Sequence, residues 1–278
     1  MALDGFAGME RHVCPGEGGA VVYWVHNYGA EVTLALLHGL TANHTLFERQ
    51  ITHFTGRCNL LCWDAPAHGE SRPYDGFSYA RAARDLRRIL EREGLRRVVM
   101  VGQSMGGYIA QSYMKLYPEG CIGFVGIDTC PFGTAYYSKS DLWWLRQVEW
   151  MSLCFPRGLL MRSIAHNCSC TKDGRRNMYA ALQLYSRREL CHLMGVGYAG
   201  FLEANCDLDL PCPTRILLGA HDRTGKVRTY CRAWHARTGV PLRVIPDAAH
   251  NSNYDNSAAV NREIDAFLQE ILQKDALD

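Results

Sequence analysis

The chain has 278 residues, of which 47% are hydrophobic and 21% charged, a composition that is typical of globular proteins and argues against a disordered chain. Its 30 basic and 28 acidic residues leave a formal charge of only +2, which argues against nucleic acid as a partner. No apolar run approaches the roughly 20 residues that a membrane span needs, and the N-terminal MALDGFAGMER lacks the pattern of a signal peptide, so we expect a cytoplasmic protein.

The twelve cysteines are scattered from Cys14 to Cys231. In a chain of this length without an export signal, we expect free thiols and no disulfide framework. The closest pair, Cys168 and Cys170, has only His166 nearby, whereas a metal site needs two such pairs or histidines at ligand spacing. We therefore expect no metal site.

Short apolar runs bounded by turn residues alternate with helical patterns along the chain. Such runs are typical of buried parallel strands, and the amphipathic helices between them cover both faces of a sheet. The alternation therefore predicts an α/β fold with a parallel sheet. The predicted strands are 20–25, 32–37, 58–63, 97–101, 121–127, 214–218 and 241–245, and helical patterns lie at 78–93, 226–238 and 257–273.

Two early predicted strands end in loops that contain histidine. His38 and Gly39 follow the second strand, and a sharp turn at this pair leaves the N–H of Leu40 free to face a negative charge above the sheet. We expect His38 itself to be a structural hydrogen-bonding residue. The run DAPAHGES at 64–71 follows the third strand, and we interpret it as a turn whose polar side chains cap backbone groups.

The strongest motif is GQSMGG at 102–107, which follows a predicted strand and begins a helical pattern. This is the context of a nucleophile elbow, in which a tight strand-to-helix turn raises a serine above the sheet. Glycines flank the serine because side chains there would collide across the turn. Ser104 is therefore the candidate nucleophile, and the N–H of Met105 is a candidate oxyanion donor beside that of Leu40.

The alternation stops between the predicted strands at 121–127 and 214–218. Helical spacing and a high content of tryptophan and methionine predict a helical insertion packed over one end of the sheet. Because it begins at a strand end, where the elbow opens, we expect its helices to cover Ser104 and line an apolar pocket. The candidate substrate-binding residues in it are Trp143, Trp144 and Trp150.

A serine hydroxyl needs a base to take its proton, and the base needs an orienting carboxylate. His250 is the candidate base, because the loop after the last predicted strand reaches the crevice above the sheet. Asp222, just past the sixth predicted strand, is the candidate carboxylate. Asp128, after the fifth strand, is an alternative to it, whereas Asp247 lies too close to His250 in the chain to orient it well.

These motifs resemble those of the α/β-hydrolase fold superfamily over nearly the whole chain. The residues that carry the resemblance are His38-Gly39-Leu40, the run from Asp64 to Ser71, GQSMGG at 102–107, Gly219-x-x-Asp222 and His250. The resemblance implies a mostly parallel sheet of eight strands with helices on both faces, a helical cap inserted after the sixth strand, and no cofactor. The chain is most similar to capped serine esterases and lipases, with a core of 1–130 and 206–278 and a cap of 131–205.

The sequence thus predicts a serine hydrolase that cleaves small-molecule carboxylic esters through Ser104, Asp222 and His250. Cleavage of a lactone or a C–C bond by the same residues is an alternative. A non-enzymatic small-molecule receptor on this fold is an alternative of another class, and turnover of p-nitrophenyl esters would favour the enzyme. The sequence indicates neither the oligomeric state nor the physiological substrate.

Overall fold

The computed structural model describes residue 6 and residues 8–275, without the side chains of 274 and 275. Residues 1–5 and 7 belong to the N-terminal run on which the expectation of a cytoplasmic protein rests, and they lie outside the described residues. None of the helices that the structure describes is both long and apolar enough to cross a membrane. All twelve cysteines are free thiols.

A sheet of eight strands forms the centre of the molecule, in the order β1-β2-β4-β3-β5-β6-β7-β8. β2 pairs antiparallel with both β1 and β4, and the other neighbours are parallel. The predicted sheet, mostly parallel and eight-stranded, is confirmed. The strands are β1 Glu10–Pro15, β2 Ala20–His26, β3 Thr33–Leu37, β4 Asn59–Trp63, β5 Val98–Gln103, β6 Gly123–Ile127, β7 Thr214–Gly219 and β8 Leu242–Ile245.

Helices connect the strands and cover the sheet. They are α1 Glu48–Phe54, α2 Tyr79–Arg92, α3 Met105–Leu116, α4 Lys139–Leu145, α5 Val148–Leu153, α6 Arg157–Cys168, α7 Lys172–Gln183, α8 Arg187–Ala204, α9 Val227–Thr238, α10 Ser252–Asp255 and α11 Ser257–Asp275. Short 3-10 turns lie at His44–Phe47, Pro118–Gly120 and Thr134–Tyr136. The predicted helices at 78–93, 226–238 and 257–273 correspond to α2, α9 and α11.

Each central strand sends alternate side chains into two apolar layers, one on each face of the sheet. Ala35 and Leu37 of β3 belong to the layer that α2, α3 and α9 complete. Leu34 and Leu36 belong to the opposite layer, with α1 and α11. A strand buried on both faces reads as a continuous apolar run, and the double burial holds the carboxyl ends of the strands in fixed positions.

The helices α4–α8 lie between β6 and β7, where the sequence pattern predicts a helical insertion. Apolar side chains of α6, α7 and α8, among them Met161, Met178 and Leu190, are buried in the same layer as α1 and α11. The division of the chain into a core of 1–130 and 206–278 and a cap of 131–205 stays a prediction.

Candidate active site

Ser104 lies in a strained turn between β5 and α3. Its backbone has φ +48° and ψ −113°, a conformation that side-chain-bearing residues rarely adopt. Neighbouring segments hold it there, since its N–H donates to the Ile127 carbonyl at 2.9 Å and its carbonyl accepts from the Thr129 hydroxyl at 2.7 Å. The elbow therefore presents the Ser104 side chain beyond the end of the sheet.

The glycines of the elbow are required by close backbone contacts. A Cβ on Gly106 would lie 1.9 Å from the Leu37 carbonyl oxygen, and one on Gly102 would lie 2.6 Å from the Gly107 nitrogen. Backbone atoms cannot move aside as the end of a flexible side chain can. The crossing of β3, β5 and α3 thus fixes glycine at both positions.

Three candidate residues from distant parts of the chain meet at this edge of the sheet. The Nε2 atom of His250 lies 2.9 Å from the Ser104 hydroxyl oxygen, and its Nδ1 lies 2.9 Å from an Asp222 carboxylate oxygen. Asp222 also accepts from the Thr224 N–H at 2.8 Å. If Nδ1–H donates to Asp222, Nε2 is left as an acceptor for the Ser104 hydroxyl proton.

Burial and charge act in opposite directions on His250, whose side chain is 7% exposed. Burial lowers its pKa, whereas the charge of Asp222, the hydrogen bond to it and the charge of Asp128 raise it, and the result is a pKa above the ordinary 6.5. The carboxylates therefore favour the protonated imidazolium, the form that a base reaches once it has accepted a proton.

Asp128, the alternative acid, holds backbone groups and not His250. Its two carboxylate oxygens accept from the N–H of Gly219 at 2.6 Å and from that of Ser252 at 3.1 Å. Burial and the nearby charge of Asp222 raise its pKa to about 8. The structure thus brings Asp222, and not Asp128, to Nδ1 of His250. Asp247 is exposed and makes no contact with His250.

The two candidate oxyanion donors lie beside Ser104. Within the part of the chain that the structure describes, neither the Leu40 N–H nor the Met105 N–H has a hydrogen-bond acceptor, and both residues line a cavity at Ser104. The loop before Leu40 is held by His38, whose Nδ1 donates to the Gly39 carbonyl and whose Nε2 accepts from the Ala65 N–H. Burial lowers the pKa of His38, so it is neutral and structural.

The run 64–71 forms a turn. Asp64 is buried and accepts from the His44 ring and from the N–H of Glu70. The Ser71 hydroxyl donates to the Asp64 carbonyl and accepts from the Val22 N–H. These side chains cap backbone groups and join β2 to β4, as the turn interpretation predicts.

Two cavities share Ser104, His250, Leu40 and Tyr198 in their walls. The larger, of about 240 Å³, lies under the inserted helices and includes Ile164, Asn167, Cys168, Met178 and Met194. The smaller, of about 110 Å³, is largely aromatic and includes Tyr79, Tyr108, Tyr137, Phe201 and Tyr230. A wider groove of about 740 Å³, between residues 72–77 and α8, contains none of the candidate site residues.

The three tryptophans predicted as pocket walls lie elsewhere. Trp143, Trp144 and Trp150 are 50–54% exposed, and none of them lines either cavity at Ser104. Helical spacing predicts the helices that carry them, but it cannot tell which face of a short helix meets the sheet. From α4 and α5 only Leu145 reaches the smaller cavity.

Residues that support the site without a recognisable motif are missed by the sequence analysis. Gln103, beside the nucleophile, donates to the His250 carbonyl at 2.8 Å. Asp255 accepts from the Ala249 N–H at 3.0 Å and from the N–H groups of Cys170 and Thr171. It thereby joins the α6–α7 turn to the loop that carries His250. A single aspartate in α10 offers no sequence pattern that could reveal this.

Tyr198 on α8 is a further residue that no motif indicates. Its side chain lines both cavities, and burial raises its pKa to about 12. Its hydroxyl has no hydrogen-bond partner among the described residues. It is therefore a neutral donor available to a molecule bound beside Ser104.

Comparisons with known proteins identify the family and the fold of the chain. A family model described as the alpha/beta hydrolase family matches residues 34–263. The chain is 28% identical over 251 residues to a 2-succinyl-6-hydroxy-2,4-cyclohexadiene-1-carboxylate synthase of Serratia proteamaculans, with 84% of this chain and 92% of that protein covered. It is 35% identical over 104 residues to the sn-1-specific diacylglycerol lipase ABHD11 of Mus musculus, which covers 36% of this chain and 34% of that protein.

Among solved structures, a thermophilic esterase from Thermogutta terrifontis superposes with a TM-score of 0.75 at 19% identity. The match covers 94% of this chain and 99% of that one. At this identity the likeness shows the fold alone. With the family model covering most of its length, the chain belongs to the alpha/beta hydrolase family.

Proposed function

We propose that the chain is a serine hydrolase that cleaves carboxylic esters of small to medium apolar substrates. The observation that carries the proposal is the continuous hydrogen-bonded series from Ser104 through His250 to Asp222, with both distances at 2.9 Å. Such a series is the arrangement that activates a serine hydroxyl. The unpartnered N–H groups of Leu40 and Met105 support it.

In the proposed reaction, His250 takes the proton of Ser104 as the oxygen attacks the ester carbonyl carbon. The carbonyl oxygen becomes an oxyanion held by the N–H groups of Leu40 and Met105. The intermediate collapses, the bond to the alcohol breaks, and His250 returns the proton to the leaving oxygen. Water, deprotonated by His250, then hydrolyses the acyl-enzyme, and Asp222 keeps the imidazole in one tautomer throughout.

We further propose that helices α4–α8 form a cap and that the two cavities divide the substrate between them. Leu40 and Met105, the two oxyanion donors, both line the smaller cavity, so we place the acyl group there. The larger cavity, whose lining includes Asn167, Arg223 and Asn251, receives the alcohol. Aromatic walls favour an apolar acyl group because its burial removes apolar surface from water.

A second candidate is the reaction of the Serratia proteamaculans relative, whose match spans most of both chains. The compound in that protein's name is a carboxylate, and Arg223 beside the larger cavity offers a guanidinium to such a group. Formation of that compound from its precursor by the purified chain, with a marked loss in Arg223→Ala, would select this candidate. Hydrolysis of apolar esters that is unaffected by Arg223→Ala would select the ester hydrolase.

The deciding experiment concerns Ser104. A fluorophosphonate probe is expected to label the wild-type chain and not Ser104→Ala, and p-nitrophenyl butyrate turnover is expected to fall by at least about 10³ in that variant. Ser112→Ala, a matched change on the same helix, is expected to retain both. Labelling that persists in Ser104→Ala would assign the nucleophile elsewhere, and full-length wild type without turnover of any ester would favour a receptor.

A further inference from the structure

The inserted helices leave a run of large apolar side chains exposed. These residues follow one another along α4, α5 and the start of α6, and each is 39–54% exposed. We call them the tryptophan face: Trp143, Trp144, Trp150, Leu153, Phe155 and Leu159. Single exposed apolar residues are ordinary, but six of them within 17 residues of the chain, two with their rings in contact, indicate an interaction surface.

Polar contacts behind the tryptophan face hold its backbone in place. The Gln147 amide donates to the Trp143 carbonyl at 3.2 Å and accepts from the Trp150 indole at 2.8 Å. At the other end, Arg187 of α8 donates to the carbonyls of Leu153 and Phe155. The face is therefore preformed, and a partner that covers it does not have to order it first.

The inserted helices also carry an excess of positive charge. Residues 139–204 contain nine basic and five acidic side chains, a surplus of four, although the whole chain carries only +2. Lys139, Arg146, Arg162 and Arg188 are exposed, and in the described chain they have no hydrogen-bond or ion-pair partner. The remainder of the chain has a formal charge of −2, so the positive surplus is concentrated in the inserted helices, which include those that bear the tryptophan face.

The acidic side chains of α4 and α5 each have a hydrogen-bond or ion-pair partner. Asp141 of α4 pairs with Lys226 at 2.6 Å, and Glu149 of α5 lies 3.1 Å from the His192 ring. With Asp141 paired, the charged side chains of and next to α4 that have no partner among the described residues are the cationic Lys139 and Arg146.

We propose that the tryptophan face docks on a lipid bilayer that contains anionic phospholipids. Indole rings favour the boundary between headgroups and acyl chains, and free lysine and arginine side chains are drawn to a negative lipid surface. Apolar insertion and electrostatic attraction together suffice for peripheral binding, which neither provides well alone. A second copy of the chain fits less well, because two faces with the same positive surplus repel each other.

Docking in this way would bring the candidate active site close to the lipid. Leu145, the last residue of α4, lines the smaller cavity at Ser104 and follows Trp144 directly in the chain. The lipid-binding inference stands without the proposed ester hydrolysis, since it rests on exposed residues outside both cavities.

Vesicle sedimentation tests the proposal with the full chain carrying Ser104→Ala, so that hydrolysis of lipid cannot change the vesicles. We expect binding to mixed phosphatidylcholine and phosphatidylglycerol vesicles, weaker binding to phosphatidylcholine alone, and a loss of the difference at high salt. Binding to the mixed vesicles is expected to weaken at least about tenfold when three substitutions are added together: Trp143→Ala, Trp144→Ala and Trp150→Ala. Adding Arg146→Ala and Arg162→Ala is expected to weaken binding to the anionic vesicles by about fivefold for each residue.

The matched control is Tyr28→Ala, which removes an exposed aromatic ring from the β2–β3 connection, and it is expected to bind vesicles as its parent does. Circular dichroism and the thermal unfolding midpoint verify that every variant is folded. The proposal is overturned if no vesicle binds, or if the tryptophan substitutions leave binding unchanged. It is also overturned if light scattering reveals a dimer that the tryptophan substitutions dissociate.

Discussion

Two buried aspartates lie near His250, and each holds different groups. Asp222 contacts the ring of His250, whereas Asp128 accepts from the N–H groups of Gly219 and Ser252. Both follow strands that end at the same edge of the sheet, so position in the chain alone does not separate them. The two aspartates are distinguished by the hydrogen bond with Nδ1 of His250, which Asp222 makes and Asp128 does not.

The two aspartates are therefore expected to differ in mutagenesis. Asp222→Asn should lower kcat by about 10⁴, because the amide stabilises the wrong histidine tautomer. Asp128→Asn should change kcat by less than about tenfold, since its carboxyl orients no reacting group. Steady-state kinetics of both variants on one ester provides the comparison, and inactivity of Asp128→Asn with an active Asp222→Asn would reverse the assignment.

The pH dependence of the reaction should report on His250. A base must be deprotonated to act, so kcat/KM should fall as the pH drops below the pKa of His250 in the free enzyme. Because the carboxylates raise that pKa, the midpoint of the acidic limb is expected above 6.5. In Asp222→Asn a charge and a hydrogen bond that raise this pKa are lost, so the midpoint of the residual activity should move to lower pH. A midpoint that is the same in both proteins would show that Asp222 does not set the pKa.

Sequence reasoning at the residue scale works where a local motif carries the chemistry. The elbow at Ser104 could be predicted because adjacent glycines encode it. His250 and Asp222 are candidates because each follows a strand, although Asp128 does so too. Asp255 and Tyr198 could not be predicted, because the elements they contact or line come from distant parts of the chain and no spacing indicates them. Composition predicts the three tryptophans at the site, but the packing of α4 and α5 leaves them exposed.

At the scale of elements, the strand that the sequence analysis misses is the edge strand β1. The strand β1, Glu10–Pro15, is absent from the predicted runs because only Cys14 in it is buried. An edge strand that faces solvent has no continuous apolar pattern to detect. The seven predicted runs correspond to β2–β8 within a few residues, and they include the other edge strand, β8, in which only Ile245 is buried.

Asp255 connects two elements on which the site depends, the α6–α7 turn and the loop of His250. Asp255→Asn replaces one acceptor oxygen with a donor that faces backbone N–H groups. We expect kcat to fall about tenfold or more and the thermal midpoint to drop, because hydrogen bonds to a charged group contribute about 1.5–3 kcal/mol each. The two quantities, kcat and the thermal unfolding midpoint, are measured on the same preparation of the variant.

Asp265→Asn is the matched control for that change. Asp265 on α11 pairs with His53 and Arg57 away from the site, so its loss should leave kcat unchanged. If kcat of Asp255→Asn equals that of the wild type, the loop of His250 does not depend on the hydrogen bonds that Asp255 makes to the α6–α7 turn.

The helices around the smaller cavity should set the preferred acyl length. Each methylene that enters the cavity contributes about 0.8 kcal/mol, so kcat/KM is expected to rise about fourfold per methylene, or about fifteenfold per carbon pair, from acetyl to butyryl or hexanoyl esters and then fall. Leu145→Ala should move the optimum to longer chains because Leu145 lines this cavity. Met194→Ala, in the larger cavity, should not move it. A profile that declines steadily from acetyl upward would contradict an apolar acyl cavity.

At the scale of the whole molecule, the parallel sheet is what gathers the candidate site. Residues 104, 222 and 250 follow β5, β7 and β8, and parallel strands end at the same edge. The meeting of these three residues at one edge of the sheet follows from the strand order, and it could be predicted. The shape of the cavities could not, because it depends on how α4–α8 pack on one another and on the sheet, which helical periodicity does not encode.

The free thiol in the larger cavity has a consequence for chemical selectivity. Cys168 lines that cavity together with Ser104, yet burial and the charge of Asp222 raise its pKa to about 12. A thiol reacts as its thiolate, so at neutral pH we expect an electrophile that enters the cavity to react at Ser104, the proposed nucleophile, and not at Cys168. Alkylating agents will instead modify the exposed Cys154, which lies in neither cavity. Turnover should therefore survive iodoacetamide, and a cysteine-rich hydrolase would behave toward covalent inhibitors as a serine enzyme.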